Sequence, residues 1–108
     1  MTAPAARICE ALGCRIHAVR RGRGTPIACL HAIGHSGRDF LQSSERLGHR
    51  FEFIAIDWPG HGQSGPDSVA ASAARYAELL AHVADALDLR QFLVLANFLE
   101  QLPHSTRL

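Results

Sequence analysis

Residues 51–64 read FEFIAIDWPGHGQS, an apolar run that passes directly into a polar loop with two closely spaced glycines. The run at 51–56 is short and carries aromatic and branched side chains, which predicts a buried strand. The loop starts at Asp57 and contains Gly60 and Gly62. Because ligands of open α/β sheets bind at the carboxyl ends of the strands, this loop is a first candidate for a functional site.

A second stretch has the same organisation and precedes the first. The apolar run Ile27–Leu30 predicts another buried strand, and the loop HAIGHS, residues 31–36, follows it. A glycine-containing loop after such a strand can turn a backbone N–H toward a developing negative charge, as an oxyanion hole requires. Residues 31–36 are therefore a second candidate.

The other strands are predicted at the two ends of the chain. Residues 7–10 and 14–21 flank a turn, and the apolar residues of the second arm recur at every second position, which predicts an antiparallel hairpin. The apolar run Phe92–Ala96 predicts a last strand.

Two helices are predicted between these strands. Ser36 and Asp39 fit a capping box at the start of a helix over residues 37–47, and apolar spacings of three and four predict a longer helix over 69–87. The residues expected to face inward are Phe40, Leu41, Leu47, Tyr76, Leu79, Leu80, Val83 and Leu87. Strands that alternate with helices predict an α/β fold, a parallel sheet entered through the hairpin.

The two loops, in this order and with one helix between them, resemble the α/β-hydrolase fold family. In that family a His-Gly type motif follows the third strand, and an Asp-x-x-Gly-x-Gly-x-Ser motif follows the fourth. The resemblance covers residues 7–97. It implies a partial α/β-hydrolase sheet with strand order 1-2-4-3-5-6. It also implies hydrolysis of ester- or amide-type bonds in a small molecule by a Ser-His-Asp triad, with no metal or organic cofactor.

The same resemblance implies roles for individual residues of the two loops. The N–H of Ile33 corresponds to the first oxyanion donor, with His31 and Gly34 shaping its loop. Ala32 stands where the family more often has glycine. The residues that match the second motif are expected to hold the turn as scaffold: Asp57, Gly60, Gly62 and Ser64.

The match to the family stops at Asn97. In these hydrolases the fifth strand runs into a nucleophile elbow, Gly-x-Ser-x-Gly, but Phe98 occupies the nucleophile position and Glu100 replaces a glycine. We therefore divide the chain into residues 1–97, the N-terminal part of an α/β-hydrolase domain, and a non-family tail at 98–108. We expect a truncated or frame-shifted hydrolase, cut after the fifth strand, that is inactive alone.

A non-enzymatic alternative follows from the same truncation. If the predicted strand order holds, Phe92–Ala96 forms an exposed apolar edge, which suits self-association. Gly60, Gly62 and Gly65 also match the spacing of a dinucleotide fingerprint, but Asp57-Trp58-Pro59 separates the strand from the first glycine.

Other functional interpretations of these loops are weaker. Three histidines, His31, His35 and His61, do not complete a metal-ligand set with the spacing that zinc sites use. Ser36 is better explained as a helix N-cap than as a nucleophile. Trp58 fits a cleft wall and a packing role equally well.

Composition excludes several other classes of protein. All 11 basic residues are arginine, so a Walker phosphate loop and any lysine Schiff-base site are excluded. Residues 1–38 carry six arginines against one acid. On the hairpin these arginines either discourage edge-to-edge pairing or bind an anion. We expect neither a nucleic acid nor a membrane as partner.

The cysteines and the N-terminus bear on the compartment. Cys9, Cys14 and Cys29 are odd in number and lack a zinc spacing, which predicts free thiols, with Cys29 buried in its strand. Residues 1–6 have no charged segment and no long apolar stretch, so we expect no signal peptide and a cytoplasmic protein.

Overall fold

A computed structural model describes residues 5–96 of the chain. Over this range the chain forms one five-stranded mixed sheet with a helix on each face. The strands are β1 (Ala5–Ala11), β2 (Cys14–Gly22), β3 (Thr25–Leu30), β4 (Phe51–Ile56) and β5 (Leu93–Ala96). The helices are α1 (Leu41–Leu47), which a 3₁₀ turn at Gly37–Phe40 precedes, and α2 (Ala73–Ala86).

The strand order in the sheet is β1-β2-β4-β3-β5. β1 pairs with β2 and β2 with β4 in antiparallel fashion, whereas β3 is parallel to both β4 and β5. This confirms the predicted fold class, a hairpin followed by parallel strands with helices. It also confirms the predicted strand order as far as the fifth strand.

The hairpin closes through a two-residue turn at Leu12 and Gly13. Both residues have positive φ, 51° and 82°. Two positive φ values are those of a type I′ turn, whose twist matches that of the flanking strands. The turn fixes the pairing of Ala11 with Cys14 and thereby decides which residues of β2 face each helix.

The main core lies between the sheet and α2, and we call this side the α2 face. Alternate residues of β2 and β4 point into it, and α2 contributes a stripe at helical spacing. The fully buried members include Cys14, Ile16, Ala18, Ile54, Ile56, Leu79 and Val83. The predicted inward stripe of α2 is thereby confirmed for its central residues.

A smaller core lies on the opposite side, the α1 face. It consists of Ile27, Cys29, Phe40 and Phe53. Cys29 has no exposed surface, as the sequence predicted, and burial raises the pKa of its thiol to about 12. The α1 face thus has fewer packed side chains than the α2 face.

Two details of the first helix differ from the prediction. Ser36 is the N-cap, accepting from the N–H of Arg38 at 3.3 Å, but Asp39 bonds to the ring of His35 at 2.7 Å and does not close a reciprocal capping box. Leu47, predicted to face inward, is 43% exposed. The 3₁₀ turn, with three residues per turn, shifts the phase of the residues that follow it, and Ser44 is buried instead.

The second helix begins at Ala73, four residues later than predicted. Ser72 is its N-cap and accepts from the N–H of Arg75 at 3.0 Å. The guanidinium of Arg75 forks onto Asp67, with Nε and Nη2 at 2.8 and 2.9 Å from the two carboxylate oxygens. This ion pair fastens the preceding loop to the first turn of α2, so Val69 lies outside the helix and is exposed.

β5 is the edge of the sheet in the part of the chain that the structure describes. It pairs with β3 on one side only, and Leu93, Val94 and Leu95 are exposed. In residues 5–96 neither helix combines the length and the apolar character that crossing a bilayer requires. The predicted boundary at 97/98 and the predicted nucleophile position, Phe98, lie outside the described residues.

Candidate active site

The two candidate loops begin side by side at one end of the sheet. β3 and β4 are parallel neighbours, and their last residues, Leu30 and Ile56, are register partners. The loops that follow, residues 31–36 and 57–72, therefore meet at the carboxyl ends of these strands, where ligands of open α/β sheets bind.

Asp57 is the hub of the second loop. Its Oδ1 accepts from the N–H of Gly37 at 2.7 Å, and its Oδ2 accepts from the N–H of Gln63 and from Nδ1 of His17, both at 3.0 Å. Burial by itself would raise the pKa of this carboxyl, but the three donors outweigh burial and hold the pKa below its ordinary value. An ionised Asp57 thus ties β2, the 3₁₀ turn and its own loop together.

Ser64 and Gly62 complete this network. Ser64 Oγ donates to the carbonyl of Asp57 at 2.7 Å and accepts from the N–H of His17 at 2.8 Å. Gly62 has φ of +53°, and a Cβ at this position would overlap the Asp57 carboxylate. Gly60, with φ of +74°, donates its N–H to the carbonyl of Gly65 at 2.8 Å. The structure therefore brings the four predicted scaffold residues into one hydrogen-bonded turn.

His31 joins the first loop to the second. Its Nε2 accepts from the N–H of Trp58 at 2.9 Å. Nδ1 must therefore carry the ring proton, which it donates to the carbonyl of Ala32 at 2.7 Å. Burial is the largest influence on this ring and lowers its pKa below 6.5. Since both nitrogens are occupied in a neutral ring, His31 acts as a strut between the loops.

Trp58 is a packing residue, which decides between its two alternatives. Its indole stacks on Tyr76 of α2, with ring centroids 4.1 Å apart and planes at 8°. The indole N–H donates to the carbonyl of His31 at 3.1 Å. With 4% of its surface exposed, Trp58 anchors the second loop to α2.

His61 makes the return connection to the first loop. Its Nε2 accepts from the N–H of Gly34 at 2.9 Å, so Nδ1 donates to the carbonyl of Pro59 at the same distance. The rings of His61 and His31 lie 5.1 Å apart. Two neutral histidines therefore brace the tip of the first loop.

Ile33 sits at this braced tip. The N–H of His35 donates to the carbonyl of Ala32 at 3.0 Å, which closes a turn with Ile33 and Gly34 at its centre. Gly34 has φ of +87°, as the third residue of a type II turn requires. Ile33 is 60% exposed, and no acceptor within residues 5–96 takes a hydrogen bond from its N–H.

The geometry of the two loops lends little support to a metal site or to a dinucleotide-binding motif. The nitrogens of His31 and His61 are engaged in hydrogen bonds, and His35 pairs with Asp39. Among the described residues no three His, Cys, Asp or Glu side chains are grouped to hold a metal. The third glycine of the dinucleotide pattern, Gly65, donates to the carbonyl of Arg15 and lies well before the start of α2.

Sequence reasoning missed His17. Its ring is the side-chain donor to Asp57, and its backbone N–H and carbonyl bind Ser64 and the N–H of Asp57. His17 lies in the predicted hairpin, 40 positions before Asp57. Its place in the alternating pattern of β2 gave its face of the sheet, but no local signal marks its partner.

The sequence compares most clearly with one family. Residues 27–97 match the alpha/beta hydrolase family. The chain is also 31% identical to (E)-2-((N-methylformamido)methylene)succinate hydrolase of Acinetobacter baylyi over 48 residues. These 48 residues are 44% of this chain and 18% of that protein.

Solved structures agree with this match. The haloalkane dehalogenase DatA of Agrobacterium tumefaciens superposes on 87% of the chain with a TM-score of 0.78 and 29% identity. The Cif epoxide hydrolase of Acinetobacter nosocomialis superposes on 88% with a TM-score of 0.80 and 26% identity. The aligned regions are 32% and 30% of those two proteins, so the chain spans about a third of their length.

Proposed function

The chain belongs to the alpha/beta hydrolase family, and from this premise we propose that residues 31–36 supply the oxyanion side of a hydrolase active site. The reaction we propose is hydrolysis of an ester- or amide-type bond in a small molecule. Ile33 contributes its N–H as the first oxyanion donor, while His31 and Gly34 hold the loop in shape.

One observation carries this proposal: within residues 5–96 the N–H of Ile33 has no acceptor, although the N–H groups of the next two residues are both bound. The N–H of Gly34 is bound to His61, and that of His35 is bound to the carbonyl of Ala32. An N–H that is held in place and forms no hydrogen bond within the protein can stabilise an oxyanion without reorganisation at the moment of reaction. Its place at the carboxyl end of β3 suits a ligand site.

The second loop serves as scaffold in this proposal. Asp57, Gly60 and Ser64 form hydrogen bonds within the protein, and Gly62 leaves the space that the Asp57 carboxylate occupies. Their contribution is to fix the start of the 3₁₀ turn through Gly37 and, through His61, the tip that carries Ile33.

We further propose that residues 1–108 do not complete the reaction by themselves. Phe98 stands where the family's elbow carries a nucleophile, and a phenylalanine side chain has no atom that attacks a carbonyl. Incubation of the chain with p-nitrophenyl butyrate tests this point. We expect p-nitrophenol release at the rate of buffer alone, and turnover clearly above that of a serine-blocked control would contradict it.

A graft tests the role of Ile33 directly. Residues 1–96 replace the matching third of the DatA haloalkane dehalogenase, and halide release from a haloalkane is measured. Ile33→Pro removes the N–H at a turn position that accepts proline, and we expect kcat to fall roughly 10²-fold to 10³-fold. Ile33→Val keeps the N–H and serves as the control. Equal kcat in the two variants, with equal melting temperatures, would rule Ile33 out as a donor.

A second candidate function is self-association through β5. The three exposed side chains Leu93, Val94 and Leu95 lie on a strand that pairs on one side only within the described residues. An apolar edge of this kind is a template for pairing with another chain. Size-exclusion chromatography over a range of concentrations tests it, since a monomer with a cooperative thermal melt at every concentration would contradict the candidate.

The cytoplasmic location stays a prediction. Fractionation of the cells that produce the protein is the measurement that checks it.

A further inference from the structure

A cavity of about 300 Å³ with a mixed polar and apolar lining lies on the α1 face of the sheet. Its walls are β2 and β4 on one side and α1 with the 3₁₀ turn on the other. Ile33 is not among the lining residues, so the cavity is separate from the proposed oxyanion donor. Its volume is at the lower end of the roughly 300–1,000 Å³ that small-molecule sites occupy.

The alternation of β2 determines what this cavity contains. Cys14, Ile16 and Ala18 point to the α2 face, so His17, Val19 and Arg21 point to the α1 face and line the cavity. Antiparallel pairing then sets Val19 opposite Ala55 and Arg21 opposite Phe53 on β4. A cation and an apolar wall are thereby built into adjacent strands.

Two arginines line the cavity, Arg21 and Arg38. Neither forms an ion pair or a side-chain hydrogen bond within residues 5–96. Arg20, the neighbour of Arg21, points the other way and pairs bidentately with Glu52 at 2.9 and 3.0 Å. Of the adjacent residues Arg20 and Arg21, the first therefore has its charge paired by Glu52, whereas the second lines the cavity without an ion pair in residues 5–96.

The negative charge at the cavity is already committed. Asp57 is the one carboxylate among the lining residues, and its two oxygens accept from Gly37, Gln63 and His17. A buried carboxylate with three donors has little capacity left for a guanidinium across the cavity. The two arginines thus remain available to an anion from solution.

The rest of the lining is partly polar, with Ser36, Ser44 and Gln63, and partly apolar. Val19, Phe40, Leu41 and Phe53 contribute side chains to the same cavity. Phe40 and Phe53 are buried members of the small α1-face core. An inorganic anion would leave this wall without a partner, whereas an anion attached to a compact apolar group would contact both parts of the lining.

We propose that this cavity binds a small organic anion, a carboxylate or phosphate monoester with a compact apolar body. Arg21 and Arg38 hold the charged oxygens, because planar guanidinium groups match carboxylate and phosphate geometry. The apolar body lies against Phe40 and Leu41. The excess of arginine in residues 1–38 thereby receives a functional role at two of its six positions.

The test is a titration of the 108-residue chain with phenyl phosphate, followed by backbone amide shifts. Benzoate, inorganic phosphate and phenol are titrated in parallel to separate the anion from the apolar body. We expect phenyl phosphate and benzoate to shift amides that line the cavity, such as those of Val19, Gly37 and Leu41, and to bind more tightly than inorganic phosphate or phenol.

Variants identify the residues responsible. Arg21→Gln and Arg38→Gln should each weaken phenyl phosphate binding about tenfold, the loss of one charge-assisted hydrogen-bonding group. Arg7→Gln removes the same charge from exposed β1 and should leave binding unchanged. Leu41→Ser should reduce the difference in affinity between phenyl phosphate and inorganic phosphate, because it removes apolar surface from the cavity wall.

Three results would overturn the proposal. The first is the absence of saturable shifts with both organic anions. The second is an equal loss of affinity in Arg7→Gln and Arg21→Gln, which would indicate attraction to overall charge. The third is equal affinity for phenyl phosphate and inorganic phosphate, which would remove the role of the apolar wall.

Discussion

The two loops at the carboxyl ends of β3 and β4 start as neighbours but use their polar groups differently. In the second loop Asp57 takes three donors, and Ser64 both donates and accepts. In the first loop His31 and His61 brace the backbone, yet the N–H of Ile33 has no acceptor within residues 5–96. The carboxylate and hydroxyl at the centre of the second loop are fully engaged within the protein, whereas the N–H of Ile33 at the exposed tip of the first loop has no acceptor in residues 5–96.

This difference teaches how a scaffold and a site can share one end of a sheet. Buried polar groups are almost always paired, because an unpaired one costs free energy. A donor left unpaired at an exposed tip costs little while water reaches it, and it stays available to a ligand. Changes in the second loop should therefore cost stability, whereas changes at Ile33 should spare it.

The largest effect is expected for Asp57→Ala. The substitution leaves Gly37, Gln63 and His17 without their acceptor, and we expect the free energy of unfolding to fall by about 3–5 kcal/mol. Denaturant unfolding measures it. Asp85→Ala, at an exposed position of α2, is the control and should change stability by less than about 0.5 kcal/mol. A similar small change for Asp57→Ala would remove the distinction between the loops.

A pair of glycine substitutions sharpens the comparison within the second loop. Gly62→Ala adds a Cβ that overlaps the Asp57 carboxylate at positive φ, whereas Gly60→Ala meets no atom within 4 Å and has only the positive φ to bear. We expect about 1 kcal/mol of destabilisation at Gly60 and clearly more at Gly62. Equal shifts of the melting temperature in the two variants would show that Asp57 is not the close neighbour of Gly62.

The strut at His31 predicts a pH dependence. Burial lowers the pKa of His31 in the folded chain below 6.5, so below this pH the unfolded chain binds a proton that the folded chain refuses. The stabilising contribution is complete above about pH 6.5 and decreases as the pH falls toward the folded pKa, by about 1.4 kcal/mol per unit of difference between the two.

Unfolding by denaturant between pH 8 and pH 5 measures this dependence, over a window that brackets the ordinary histidine pKa of about 6.5. His31→Gln should reduce the loss of unfolding free energy between pH 8 and pH 5. His49→Gln, at an exposed position, should leave that loss unchanged. An identical decline in the wild type and in His31→Gln would show that His31 is not kept neutral by the fold.

Much of the fold follows from residues 27–64 alone. The two apolar runs and their loops predicted the neighbouring parallel strands β3 and β4, and β4 begins and ends at the predicted residues. Helix ends were predicted less well, since Ser72 competes with earlier residues as N-cap and Leu47 depends on a 3₁₀ turn that apolar spacing does not report. Such choices depend on contacts made after the chain folds.

The candidate site divides in the same way. The family resemblance implied that Asp57, Gly60, Gly62 and Ser64 hold one turn, and it could do so because the motif that carries it is local. The contacts of His17 and His61 join residues far apart in the sequence, and only the folded chain shows that the N–H of Gly34 is bound while that of Ile33 has no acceptor in residues 5–96. Long-range partners of this kind leave no periodic trace in the sequence.

Amide hydrogen exchange of the 108-residue chain tests the contrast between the loops most directly. The N–H groups of Gly37 and Gln63 donate to Asp57 and should exchange more than about tenfold slower than an unstructured amide. The N–H of Ile33 should exchange close to the unstructured rate at the same pH. Protection of Ile33 equal to that of Gly37 would contradict a free donor at this tip and with it the proposed oxyanion role.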